Sequence, residues 1–166
     1  MMSDNYLELS RQVGLLLSQK NMKLVTVESC TGGALAKLIT DIPGASSWFE
    51  CGFTTYSNAS KTQLVNVPEN LIAQQGAVSQ KVALAMAKGA LTVTAGDIAI
   101  STTGIAGPSG GSPEKPVGTV CFGFASKDGT FSTDKQHFNG DREMIRNQSI
   151  QHALTCLCHY LKTGHF

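Results

Sequence analysis

The run Leu24-Val25-Thr26-Val27 followed at once by Glu28-Ser29-Cys30-Thr31-Gly32-Gly33 constrains this chain more than any other segment. Four apolar or β-branched residues in a row predict a short buried strand. Gly32 and Gly33 end it and open a helix predicted over about Gly33 to Asp41, which Ile42-Pro43-Gly44 stops. A buried strand turning sharply into a helix is a unit of layered α/β architecture.

The flanking pattern extends that unit. Leu7, Val13, Leu16 and Leu17 recur at helical spacing, so Asp4 to Gln19 reads as an amphipathic helix. Phe49 to Tyr56 reads as a second strand, Ala59 to Leu64 as a short helix, and Val78 to Thr94 as a longer helix that Ser79 can cap. Asp97 to Thr102 and Val117 to Ala125 read as strands separated by a Gly/Pro/Ser-rich loop, Thr103 to Pro116. Phe131 to Phe138 is an edge-strand candidate, and Asn139-Gly140-Asp141 caps a last helix reaching about Lys162. Strands interleaved with helices predict an α/β fold, and two adjacent late strands predict a mixed rather than purely parallel sheet.

Bulk properties narrow the function classes. With 166 residues, residues 1–166 fit one domain able to bury a core without disulfides or metal. A formal net charge of +1 gives no electrostatic case for binding nucleic acid or an anionic membrane. No apolar run approaches the roughly 18 residues that span a bilayer. The polar start, Met1-Met2-Ser3-Asp4-Asn5-Tyr6, lacks the layout of a signal peptide. Cys30, Cys51, Cys121, Cys156 and Cys158 are odd in number and form no CxxC pair, which suits reduced thiols in a cytoplasmic protein.

Four segments have the residue types for chemistry, each with a plainer reading beside it. Ser29 on a strand-to-helix turn is a candidate nucleophile, with Thr31, Gly32 and Gly33 offering backbone N–H groups to an oxyanion or anion; the same residues also suit an ordinary helix N-cap. Cys30 is a rival nucleophile, or a buried structural thiol. Lys61 follows Tyr56 by about one helical turn and can serve as a base if its pKa falls; otherwise it is a solvated helix lysine. Thr103, Gly104, Gly107 and Gly110 lie in a loop whose amides can cradle a phosphate or carboxylate, or which is simply a long hairpin connection. Arg142 and Arg146, four apart on one helix face, can clamp a phosphate or stay as surface charge. His152, Cys156 and His159 share a helix face but show no fourth metal ligand, and core packing is the simpler account.

In this order, Glu-Ser-Cys-Thr-Gly-Gly, Thr-Tyr-Ser-Asn with Lys61, Gly-Ile-Ala-Gly-Pro, Lys115-Pro116-Val117-Gly118-Thr119-Val120 and Gly-Asp-Arg resemble the CinA C-terminal domain family, which includes stand-alone nicotinamide-nucleotide amidases. The resemblance runs from about Leu7 to Leu161 and leaves no room for the molybdopterin-binding-like domain of longer members. It implies a three-layer α/β/α fold and hydrolysis of the carboxamide of nicotinamide mononucleotide in pyridine nucleotide salvage. It also implies Ser29 as nucleophile, Lys61 as general base, Tyr56 as an assisting hydroxyl, no metal and no cofactor. The partner it implies is a small-molecule nucleotide substrate, and it suggests a homo-oligomer, with a dimer expected. The Gly104-to-Gly111 loop and Arg142 are expected around the nucleotide. One departure stands out: many members carry Asp after Gly-Pro, where this chain has Ser109. A catalytically inactive nucleotide-binding paralogue and a regulatory partner protein are the alternatives for the same fold.

Overall fold

The alternation of side chains along the strands decides the layering. The computed structural model describes residues 4–166, so Met1, Met2 and Ser3 of the polar start lie outside it. Five strands form one sheet in the order β2-β1-β3-β4-β5, with β1 Leu24–Glu28, β2 Phe49–Thr54, β3 Ile98–Gly104, β4 Thr119–Ser126 and β5 Phe131–His137. β1 pairs parallel with both β2 and β3, whereas β3–β4 and β4–β5 are antiparallel. The mixed sheet expected from two adjacent late strands is what forms, and β5 is the predicted edge.

Successive residues of β1 serve opposite faces. Leu24, with Ile98, Ile100, Phe122 and Phe124, packs on one face beneath α1 (Asp4–Gln19), α2 (Ala34–Thr40) and α6 (Arg142–Thr163). Val25 and Val27, with Ala99 and Ala125, pack on the other face beneath α3 (Asn58–Val65), α4 (Glu69–Gln75) and α5 (Gln80–Val93). Both faces are covered, which explains why β1 reads as an unbroken apolar run. The result is the α/β/α arrangement. Close contact on the second face is set by Gly123, where a Cβ would come 2.3 Å from the Ala83 carbonyl. Ser101 on the neighbouring strand donates to that same carbonyl at 2.5 Å.

Several element bounds shift. The stretch between the third and fourth predicted helices holds a helix that was not anticipated, α4, although Pro68 before it and Gly76 after it are the ordinary punctuation of a helix start and stop. A single 3-10 turn, Ala45–Ser47, was also missed. β3 runs on through Thr103 and Gly104, which therefore belong to the sheet and not to the loop. Pairing with β4 out to Gly104↔Val120 extends the strand, a long-range effect that local composition does not carry. Ser79 caps α5 as expected, accepting from the Val82 amide at 3.2 Å, and Asp141 caps α6 through Met144 at 2.9 Å.

The topology fixes where a site can lie. The chain leaves β1 for β2 on one side through α2, then crosses back to β3 on the other side through α3, α4 and α5. The carboxyl ends of these three parallel strands thus converge at a topological switch point, the usual crevice for ligands in open α/β sheets.

Candidate active site

Ser29 is the first residue past β1. Its amide donates to the Thr102 carbonyl at 2.9 Å, while the Thr55 amide donates to the Glu28 carbonyl at 2.8 Å. The turn is therefore tied to both neighbouring strands. Glu28 itself, 1% exposed, points into the start of α2 and accepts from three amides: Gly33 at 3.1 Å, Leu35 at 3.0 Å and Ala36 at 2.8 Å. Gly33 sits at φ +91°, a conformation that glycine reaches without penalty. Glu28 was read only as part of the turn. A carboxylate five residues before a Gly-opened helix was the available signal.

This capping corrects one expectation. The amides at the start of α2 are not free for an oxyanion or a phosphate, because Glu28 consumes them. Gly33 spends its N–H on that carboxylate, and Gly32 donates to the Ser29 carbonyl at 3.1 Å. Thr31 is fully buried, with its hydroxyl 2.8 Å from that of Thr102. The amides of Cys30 and Thr31 have no protein acceptor among the described residues.

Lys61 comes from α3, whose N-cap Ser57 forms a reciprocal capping box with Ser60. That cap sets the helix directly after β2 and turns Lys61 inward. Its side chain is 1% exposed, and its Nζ lies 3.0 Å from Ser29 Oγ and 2.8 Å from the Thr55 carbonyl. Among the described residues no carboxylate pairs with it. Burial without a counter-ion pushes its pKa below the ordinary value. Nζ donates to both oxygens, and the lowered pKa brings its neutral form within easier reach. The solvated-lysine reading is excluded by the burial.

Cys30 lines the same pocket, but burial pushes its thiol up to about 12, so it stays protonated. The pocket has a volume of about 250 Å³, and Ser29, Lys61, Tyr56, Thr103, Gly104 and Arg142 contribute to its walls. Asn58, Ala77 and Val78 also line it and were not anticipated. Thr103 donates its hydroxyl to the Ala77 carbonyl at 2.9 Å and so ties β3 to the segment before α5. The Gly-rich loop contributes less than expected: Ala106 lines the pocket and Gly104 does so from the end of β3, whereas Gly107 and Gly110 do not line it.

Tyr56 is 61% exposed at the pocket mouth, and its hydroxyl accepts from Arg142 Nη2 at 3.1 Å. Arg142 Nη1 donates to the Gly107 carbonyl at 2.8 Å, so one guanidinium joins α6, the Gly-rich loop and the segment after β2. Arg146 does not reach this pocket. It donates to the Thr31 carbonyl at 2.8 Å, behind the Ser29 turn. The two arginines share a separate groove of about 420 Å³, where Glu143 lies beside them.

Midway along α6, His152 Nε2 lies 2.7 Å from Asp134 Oδ2 and 3.4 Å from Cys156 Sγ, and His159 farther along is exposed. Among the described residues no three His, Cys, Asp or Glu side chains converge on a point that would hold an ion. None of the described helices is long and apolar enough to cross a membrane.

The family model described as the CinA C-terminal domain matches residues 7–161 of the chain. Nicotinamide-nucleotide amidohydrolase PncC of Enterobacter agglomerans is 53% identical over 156 residues, covering 93% of this chain and 95% of that protein. The protein of the same name in Escherichia coli K12 is 50% identical over 157 residues, covering 95% of each. The solved structure of the competence/damage inducible protein CihA from Agrobacterium tumefaciens superposes with a TM-score of 0.94 at 35% identity, covering 98% of this chain and 99% of that one.

Proposed function

This chain belongs to the CinA C-terminal domain family, and on that premise we propose that it hydrolyses the carboxamide of nicotinamide mononucleotide, releasing nicotinate mononucleotide and ammonia by a Ser29–Lys61 mechanism. The observation that carries the reading is the direct 3.0 Å contact between a buried lysine with a lowered pKa and a serine at the end of the central parallel strand. The names of the full-length relatives supply the substrate class.

Neutral Lys61 takes the Ser29 proton as Oγ attacks the amide carbon, and the electron pair moves onto the carbonyl oxygen. The amides of Cys30 and Thr31 are the available oxyanion donors. Removing a donor of this kind typically costs about 2.7–4 kcal/mol. Collapse of the intermediate expels ammonia, which takes the proton back from Lys61. Water then cleaves the nicotinoyl ester, with Lys61 again as base. The pyridinium charge of the substrate draws electrons from the carbonyl, and the remote phosphate supplies binding energy that positions the amide. Because Lys61 reaches Ser29 directly, Tyr56 is not needed as a relay. Held by Arg142 at the mouth, it supplies the assisting hydroxyl against the substrate. Arg146 supports the turn from behind.

The test is ammonia release from nicotinamide mononucleotide by purified protein, with and without EDTA. Wild type is expected to turn over in both, and Ser29→Ala to be inactive while folded. Wild-type rates in Ser29→Ala would remove the nucleophile assignment, and loss of activity in EDTA would remove the metal-free mechanism.

A further inference from the structure

A second pocket, of about 300 Å³, shares the lining residue Val78 with the catalytic one. Three lysines from three different elements surround it: Lys81 in the first turn of α5, Lys115 in the loop before β4, and Lys135 on β5. None of the three forms a salt bridge among the described residues, and no carboxylate lines the pocket. Lys115 is half-buried, and its ammonium donates only to the Gln75 carbonyl, at 3.2 Å, among the described residues. Ser79 caps Val82, which leaves the amides of Gln80 and Lys81 without a protein acceptor among the described residues. Cys121 lines the pocket, and burial raises the pKa of its thiol. Three uncompensated cations around a cavity, with unspent amides in one wall, match the chemistry of a phosphate group.

The arginine groove fits a phosphate less well. Arg142 spends its guanidinium on Gly107 and Tyr56, Arg146 donates to Thr31, and Glu143 places a carboxylate in the same groove. A phosphate there meets a like charge and competes with existing hydrogen bonds. The lysine pocket carries neither cost.

We propose that the pocket formed by Lys81, Lys115, Lys135 and the start of α5 binds the phosphate of the nucleotide substrate while its amide lies against Ser29. This rests on the amidohydrolase reading for the substrate, but not for the anion chemistry of the pocket itself. The experiment compares nicotinamide mononucleotide with nicotinamide riboside, which lacks the phosphate, in wild type, Lys135→Gln and Lys115→Gln/Lys135→Gln. In parallel, inorganic phosphate is titrated while the Gln80 and Lys81 amide resonances are followed.

The double variant is expected to raise KM for the mononucleotide about tenfold with kcat little changed, lowering the mononucleotide-to-riboside ratio of kcat/KM by the same factor. Lys135→Gln alone, whose ammonium anchors no part of the loop, is expected to shift the ratio in the same direction by less. Phosphate is expected to move both amide resonances in wild type and neither in the double variant. Lysine-dependent phosphate shifts with an unchanged substrate ratio would overturn the assignment to the substrate and leave a site for free phosphate. An unchanged ratio together with no shifts would overturn the pocket altogether. If wild type releases ammonia from neither compound, the amidohydrolase reading fails, and the phosphate titration alone supports or overturns the anion site.

Discussion

Lys61 Nζ stands 3.0 Å from Ser29 Oγ, 32 residues away in sequence and buried on every side. On the proposed mechanism Lys61 must be neutral to act, and this imposes a pH profile. Activity is expected to rise with pH through the lowered pKa of Lys61 and to level off above it. Lys61→Arg, always charged, is expected to lose at least about a hundredfold in kcat, read from ammonia release across pH in both proteins. A flat acidic limb in wild type would contradict the assignment.

The same burial has a stability consequence. Folding lowers the Lys61 pKa from its usual 10.5, so between the two values the unfolded chain holds the extra proton. Stability therefore rises with pH across that interval, and the full penalty applies below the folded value. Chemical denaturation across alkaline pH is expected to show this gain in wild type and to lack it in Lys61→Met.

Glu28 secures three amides of α2, and no other group among the described residues takes its place. Glu28→Ala is expected to cost about 3 kcal/mol, the scale of losing charge-assisted bonds to buried amides. Urea unfolding measures it. Residual activity in the folded fraction is expected to fall through kcat, because the turn carrying Ser29 loses its anchor.

Cys30 and Ser29 compete for the role of nucleophile by adjacency alone. With its thiol pushed up to about 12, Cys30 is expected to resist iodoacetamide in native protein near neutral pH. Cys30→Ala is expected to retain activity where Ser29→Ala does not. Mass spectrometry of labelled protein and a turnover assay check the two halves.

Arg142 and Tyr56 share one hydrogen bond at the pocket mouth. A double-mutant cycle on Arg142→Ala and Tyr56→Phe is expected to give a coupling of about 1 kcal/mol in kcat/KM. Additivity would mean that the contact has no part in turnover.

The sequence by itself determined the layer architecture and the order of the chemical segments. β1 is buried on both faces, so its apolar run is visible without any partner, and Ser79 and Asp141 cap their helices through bonds only three residues long. Element bounds set by pairing were not visible in the same way: β3 extends through Gly104 only because β4 lies beside it. The site follows the same division. Ser29, Tyr56, Lys61 and Arg142 could be named from residue type and order, but spacing left Lys61 between a surface cation and a base. Only the tertiary structure showed that Lys61 is buried beside Ser29 and not on the surface. Crossing from β1 to β2 and back to β3 brings three strand ends together, buries the ammonium without a carboxylate and points it at Ser29. It also separated Arg146 from the pocket and gathered Lys81, Lys115 and Lys135 from distant segments. Desolvation and convergence belong to the packed molecule, because each depends on neighbours that the local sequence does not contain.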